Sequence, residues 1–157
     1  MVSDFLQQAH KVFDEKKKCI IDQYSKFHVQ EIEEEYQNGS VFLRSNETIR
    51  EDFADMGAVK LSYEAFKLWE RDNPNQKLPI GLNDFSFDQI FWISHAQTFC
   101  SFERASTTKY HLEQGKYSSY RYRLLGPLGN SVEFAKSFKC DEKSNMVRKD
   151  DEKCLLW

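Results

Sequence analysis

Apolar residues recur with helical spacing in four stretches of the chain. In the first stretch they lie three or four positions apart, from Phe5 and Leu6 to Ile20 and Tyr24. This is the period of an amphipathic helix. The predicted helices cover residues 3–24, about 48–69, about 83–100 and 130–140.

The segments between these stretches are polar. Residues 25–47 contain an Asn-Gly-Ser turn, and residues 101–122 show no regular period, so both are predicted to be mostly loop. Thr48 and Glu51 fit a capping box, which places the start of the second helix at Thr48. The sequence therefore predicts a mainly α fold of helices joined by irregular loops.

Two acids, Glu51 and Asp55, lie one turn apart on the second predicted helix. At roughly 100° per residue they fall on one face of the helix together with small residues and an aromatic ring. The other members of that face are Ala58, Ser62, Ala65 and Trp69. Small residues let another helix approach closely, so this face is predicted to pack against a partner element.

Two interpretations of these acids remain open from spacing alone. Glu51 could complete the capping box while Asp55 complements the helix N-terminus. Alternatively, Glu51 could bind a metal ion and Asp55 could support another ligand, because an ionised acid on a packed face is costly unless it is paired or metal-bound. A catalytic zinc site needs three protein ligands, and the four histidines form no H-E-x-x-H.

Composition excludes several classes of partner. The net charge is -3, and the lysines at 16–18 are answered by the acids of 31–35. No basic stripe remains for nucleic acid or for an anionic membrane surface. No apolar run approaches the roughly 18 residues of a membrane helix.

The cysteines and glycosylation sequons point to an oxidising compartment. None of the four cysteines forms a C-x-x-C pair, which disfavours a zinc knuckle, but an even number permits disulfides. Asn38 and Asn46 each begin an N-x-S/T sequon, which is a feature of extracellular proteins. The start of the chain lacks the apolar core of a secretory signal, so the chain is expected in the cytoplasm if Met1 is its true start.

Several ordered motifs identify a family. EDFADMGAVKLSYEAF resembles the E-N-x-A-D-x-G-G helix of the neprilysin and endothelin-converting-enzyme family of zinc metallopeptidases. LPIGLNDFSFDQIFWISHAQTFC resembles its L-P-G-L…Q-L-F-F…A-Q-x-W-C segment, and YRYRLLGPLGNSVEFAKSFKC resembles its F-R-V-x-G-x-x-x-N-S-x-x-F-x-x-x-F-x-C segment. The final CLLW matches its C-x-x-W. The resemblance spans residues 4–157.

The resemblance implies roles for both acids. Glu51 matches the third zinc ligand, and Asp55 matches the aspartate that orients a zinc-binding histidine. The other two ligands and the general base come from an H-E-x-x-H segment, which this chain lacks. Residues 4–157 are therefore expected to form the C-terminal part of a zincin-type catalytic domain, incomplete on its N-terminal side. Zn²⁺ is not expected to bind stably to this chain alone.

The match also has departures. The family's Gly-Gly is Gly57-Ala58 here, and Arg50 replaces a frequent glycine. Arg123 matches the arginine that contacts the peptide backbone; without the family it would be interpreted as an exposed residue of a Tyr/Arg-rich strand. The family's oxyanion-binding histidine is Tyr117 here, whose hydroxyl can also donate. His111 is the nearest histidine, but it would need a shifted loop.

The resemblance also assigns the cysteines. It implies a disulfide between Cys19 and Cys154. The family partners of Cys100 and Cys140 lie outside this sequence, so these two are expected to be unpaired.

Three functions follow from these observations. In the first, the chain forms part of a zinc metalloendopeptidase that cleaves small peptides on the N-terminal side of hydrophobic residues. The chain alone is then expected to be inactive. The second is a truncated, non-catalytic paralogue that binds peptides or a partner subunit, favoured by Tyr117 and the lack of H-E-x-x-H. The third is a helical interaction module or a non-functional remnant. By resemblance, the location is extracellular, in the ectodomain of a plasma-membrane protein.

Overall fold

Helices dominate the computed structural model, which describes residues 2–37 and 39–157, with side chains from residue 4. The helices are α1 (Val2–Tyr24), α2 (Gln30–Tyr36), α3 (Ser45–Asp72), α4 (Phe87–Gln97), α5 (Ala105–Gln114), α6 (Tyr120–Asn130) and α7 (Val132–Ser137), followed by a 3-10 turn at Asp150–Glu152. Extended pairing within these residues is limited to one antiparallel bridge between His28 and Phe42. The predicted mainly α class is confirmed. No helix in the described part of the chain is long and apolar enough to span a membrane.

Two short helices lie where the sequence predicts loops. α2 falls within 25–47 and buries Ile32 as its one fully buried side chain. α5 falls within 101–122 and buries Thr108. Short helices of this kind gain their stability from packing rather than from their own sequence period, and these two pack against each other. A periodicity test has too few apolar positions to detect them.

The predicted capping box at Thr48 is wrong. α3 begins at Ser45, three residues earlier, so Thr48 lies inside the helix and is buried. Its hydroxyl donates to the Asp52 carboxylate at 2.7 Å instead of accepting from the backbone. A true capping box begins α4: the Ser86 hydroxyl accepts from the Gln89 amide at 3.1 Å, and the Gln89 side chain accepts from the Ser86 amide at 2.9 Å.

The core has two parts, both built on the buried side of α3. Where α3 crosses α1 and α6, Met56 packs with Ile20, Tyr24 and Tyr122. Further along α3 a second cluster lies against α4, α6 and α7; its buried members are Val59, Trp92, Leu128 and Phe134. α3 therefore contributes to both parts of the core. The orientation of α3 about its own axis decides which of its side chains face inward.

The C-terminal segment is fixed against α1, α3 and α6. Cys154 forms a disulfide with Cys19, as the resemblance implies. Next to it, the buried Asn130 side chain accepts from the Cys154 amide at 2.8 Å and from the Gln23 amide group at 3.0 Å. The Trp157 ring covers Gly57, where an added Cβ would lie 3.1 Å from it. A side chain at position 57 would require the Trp157 ring to shift by a few tenths of an ångström.

Candidate functional site

The three acids of α3 occupy three different environments. Glu51 is half-buried, and no hydrogen-bond or ion-pair partner for its carboxylate is found among the described residues. Asp55 is half-buried in an ion pair, and Asp52 is completely buried, with 0% of its surface exposed. Rotation along the helix separates Asp52 from Glu51, whereas Glu51 and Asp55 share one face and differ because Arg123 pairs with Asp55.

Asp55 binds the guanidinium of Arg123 in a bidentate ion pair. Arg123 Nε donates to Asp55 Oδ2 at 2.7 Å, and Nη2 donates to Oδ1 at 2.8 Å. Only 14% of the Asp55 side chain and 20% of the Arg123 side chain are exposed. The hydrogen bonds that Arg123 donates to Asp55 raise the pKa of Arg123 above its ordinary value. Arg123 lies on α6, so its placement on a strand is wrong.

Two aromatic rings flank the Arg123 guanidinium. Its carbon lies 5.4 Å from the ring centroid of Phe99 and 5.0 Å from that of Tyr117. These are distances of cation–π contacts. Tyr117 is 51% exposed, so its ring covers the arginine on the solvent side. Arg123 is thus held by a carboxylate and two rings.

An open cleft of about 570 Å³ lies between α3, α5 and the start of α6. Its lining includes Glu51, Glu103, His111, Tyr117 and Arg123. The structure therefore brings Glu51, Tyr117 and Arg123 to one cleft, while Asp55 lies behind Arg123. Carboxylates and a guanidinium at the wall of one cleft can recognise the polar backbone of a peptide.

His111 and Glu103 also reach this cleft, although the sequence offered His111 only with a shifted loop. Because residues 105–114 form a helix, His111 lines the cleft in place. Its Nδ1 lies 3.8 Å from Glu103 Oε1. The other oxygen of Glu103 accepts from the Thr108 hydroxyl at 3.3 Å. The sequence predicted a loop where α5 lies, and it therefore did not indicate that His111 and Glu103 would be close together.

Asp52 is the main residue of the site that the sequence analysis overlooked. Burial raises its pKa from 3.8 to about 6, although the nearby Thr48 and Ser118 hydroxyls oppose that rise. Its Oδ1 has no hydrogen-bond partner among the described residues. The signal was present in the sequence: Thr48, Asp52 and Met56 follow one another at four-residue spacing on the inward side of α3.

The described residues hold no cluster of three or more metal-binding side chains. Glu51 nevertheless suits a metal ion as a single donor, because its carboxylate is unpaired and faces the cleft.

Comparison with known proteins identifies the family. The sequence profile of peptidase family M13 matches residues 1–154. The chain belongs to this family. It is 35% identical over 151 residues to an endothelin-converting enzyme homolog of Locusta migratoria. It is 38% identical over 150 residues to Neprilysin-2 of Drosophila melanogaster. The resemblance to neprilysin-type metallopeptidases is confirmed.

The M13 chain spans only about a fifth of the length of these curated relatives. The two alignments cover 96% and 95% of this chain but 19% and 18% of the relatives. Among solved structures, the zinc metalloprotease Zmp1 of Mycobacterium tuberculosis, in complex with an inhibitor, matches with a TM-score of 0.79 at 19% identity. That match covers 90% of this chain and 21% of Zmp1. It confirms the fold of a zinc metallopeptidase segment.

A Haemonchus galactose-containing glycoprotein complex matches equally well. Its TM-score is 0.81 at 25% identity, and the match covers 96% of this chain and 24% of that one.

Cys100, Cys140 and Asn46 are not among the residues that line the cleft. Cys100 is exposed and Cys140 is half-buried, and both are free thiols. Asn46 is exposed in the first turn of α3, whereas Asn38 lies outside the described residues. Both asparagines stay predictions as glycosylation sites.

Proposed function

We propose that residues 4–157 form the C-terminal part of an M13 catalytic domain and supply one zinc ligand and one wall of the peptide cleft. The observation that carries this proposal is the unpaired carboxylate of Glu51 beside Arg123 and Tyr117 in one open cleft. A segment with H-E-x-x-H completes the site. The substrates are small peptides, and the chain alone is inactive.

Glu51 supplies the third ligand, and Asp55 orients a zinc-binding histidine of the completing segment. Arg123 uses one lone pair on each oxygen of Asp55. A carboxylate offers about four lone-pair sites, so Asp55 can still accept from an imidazole N–H. When bound, zinc would polarise the scissile carbonyl and lower the pKa of a water molecule.

Arg123 and Tyr117 bind the substrate in this proposal. Two of the five guanidinium N–H groups of Arg123 donate to Asp55, which leaves three for a peptide carbonyl. The Tyr117 hydroxyl lies in the histidine position and donates to the oxyanion. Its contact with the Arg123 guanidinium keeps the phenol ring at the cleft. The location proposed is extracellular, consistent with the Cys19–Cys154 disulfide.

A chimera tests the assignment. The C-terminal fifth of Neprilysin-2 is replaced by residues 4–157, and zinc content and cleavage of a fluorogenic peptide are measured. We expect the chimera to hold one zinc ion and to cleave before a hydrophobic residue. Glu51→Gln should lose the zinc, because the neutral amide is a poor ligand. Glu47→Gln, on the exposed side of the same helix, should keep it.

Two outcomes would contradict the proposal. One is a Glu51→Gln chimera with full zinc content. The other is a 157-residue chain that by itself holds zinc and cleaves the peptide. A chimera that binds zinc and a peptide but never cleaves it would instead favour the non-catalytic peptide-binding alternative, with Tyr117 as the first residue to replace by histidine.

A further inference from the structure

The segment 115–119, which carries Tyr117 to the cleft, is fastened to α3 at two places. The outer fastening is the ion pair between Arg123 and Asp55, over which the Tyr117 ring lies. The inner fastening is a chain of buried hydrogen bonds that ends at Asp52. Ser118, the residue after Tyr117, is the member contributed by the segment.

The inner fastening links three buried side chains. Ser118 Oγ donates to Thr48 Oγ1 at 3.2 Å, and Thr48 Oγ1 donates to Asp52 Oδ2 at 2.7 Å. Ser118 is 4% exposed, Thr48 is 5% exposed and Asp52 is 0% exposed. Ser118 and Thr48 are 70 residues apart in sequence, so this contact sets the position of the segment on the fold.

Global stability does not account for a carboxyl group at position 52. A buried polar atom without a partner costs about 1–3 kcal/mol, and Asp52 Oδ1 is such an atom among the described residues. What the carboxylate provides is an acceptor for the Thr48 hydroxyl, and through it a fixed place for Ser118. Because adjacent residues share a backbone, a fixed Ser118 limits where the Tyr117 ring can lie.

We propose that Asp52 is a positioning residue: through Thr48 and Ser118 it holds segment 115–119 so that Tyr117 stays over Arg123 at the cleft. Its importance for peptide cleavage rests on the function proposed above. The positioning itself concerns only this chain and is tested without zinc or peptide.

The test uses NMR on the full 157-residue chain. The first readout is the set of NOEs between the Tyr117 ring and the Arg123 side chain. The second is hydrogen exchange of the Tyr122 and Arg123 amides, which both donate to the Ser119 carbonyl, compared with the Ala135 amide in α7. Asp52→Ala and Ser118→Ala should abolish the NOEs and speed exchange at Tyr122 and Arg123 by about tenfold, as loss of one hydrogen bond would.

Two variants provide controls. Asp52→Asn keeps an acceptor oxygen for Thr48 and should retain the NOEs. Ser137→Ala removes a hydroxyl that accepts from Trp92 Nε1 at 3.1 Å, far from the segment, and should leave both readouts unchanged. The proposal is overturned if Ser118→Ala preserves the NOEs and the exchange rates, or if Asp52→Ala speeds exchange equally at Ala135. If Asp52→Ala does not fold, Ser118→Ala decides the result alone.

Discussion

Replacement of Asp52 by asparagine should remove a pH-dependent cost from the folded chain. Asp52 is fully buried, and desolvation raises its pKa from 3.8 to about 6. The nearby Asp55 carboxylate adds to the rise, while the Thr48 and Ser118 hydroxyls and the Arg123 charge oppose it. Asparagine has nearly the same shape, keeps an oxygen for Thr48 and carries no charge.

The direction of the pH effect follows from the two pKa values. Well below pH 4 both the folded and the unfolded chain hold the proton, so titration of Asp52 adds no cost. Between about pH 4 and pH 6 the unfolded chain releases the proton while the folded chain keeps it, so stability falls as pH rises. Above about pH 6 the cost is complete. A difference of about two pH units, at about 1.4 kcal/mol each, corresponds to about 3 kcal/mol.

Urea denaturation of both chains between pH 4 and pH 8 measures this effect. The free energy of unfolding of Asp52→Asn, minus that of the wild type, should increase by about 2.5 kcal/mol from pH 4 to pH 8, because the unfolded carboxyl is already partly ionised at pH 4. Asp84→Asn, at an exposed position, controls for the loss of a carboxylate. A difference that stays constant across this pH range would refute the reasoning, whatever its size, because a pH-independent change cannot come from titration of Asp52.

Two further substitutions test the packing around the site. The double substitution Cys19→Ser and Cys154→Ser should lower the free energy of unfolding by about 5 kcal/mol on the chain-entropy estimate, because the disulfide spans 135 residues. Cys100→Ser, which removes a free thiol, is the control. A loss below about 1 kcal/mol would show that the unfolded chain gains little freedom when the disulfide is removed. Gly126→Ala should cost at least 1–3 kcal/mol, since its Cβ would lie 2.0 Å from the Tyr24 hydroxyl. Gly129→Ala, whose Cβ would lie 3.4 Å from Arg148 Nε, should leave the free energy of unfolding nearly unchanged in the same urea denaturation experiment.

The long helices α1 and α3 could be predicted from their regular apolar periods, whereas the short helices α2 and α5 could not. α1 and α3 contain enough turns for the period to appear, and their predicted positions agree with the structure to within a few residues. α2 and α5 each bury a single side chain completely. Their helical form depends on contact between them, which a local pattern does not contain.

The part of the site that lies on α3 could be predicted from residue spacing, whereas contacts between distant segments could not. The spacing of Glu51 and Asp55 placed both acids near one face, and the family motif assigned Arg123. The ion pair between Asp55 and Arg123 joins residues 68 apart, and no spacing rule predicts it. Asp52 was overlooked because an acid next to a helix start is usually solvated, and its burial depends on Ser118 from a distant segment.

The different states of the three acids on α3 explain why one helix can serve both structure and chemistry. Asp55 is neutralised by Arg123, so it can accept a further hydrogen bond without holding an unpaired charge. Asp52 is kept from water and bonded to Thr48, which ties the helix to segment 115–119. Glu51 has a carboxylate that no described residue uses, and it faces the cleft. Of these three carboxylates, Glu51 is therefore the one available to a cation that enters the cleft, because Asp52 and Asp55 already have partners. Helix rotation of about 100° per residue turns Asp52 away from Glu51, and the ion pair with Arg123 distinguishes Asp55 from Glu51 on the face that these two acids share.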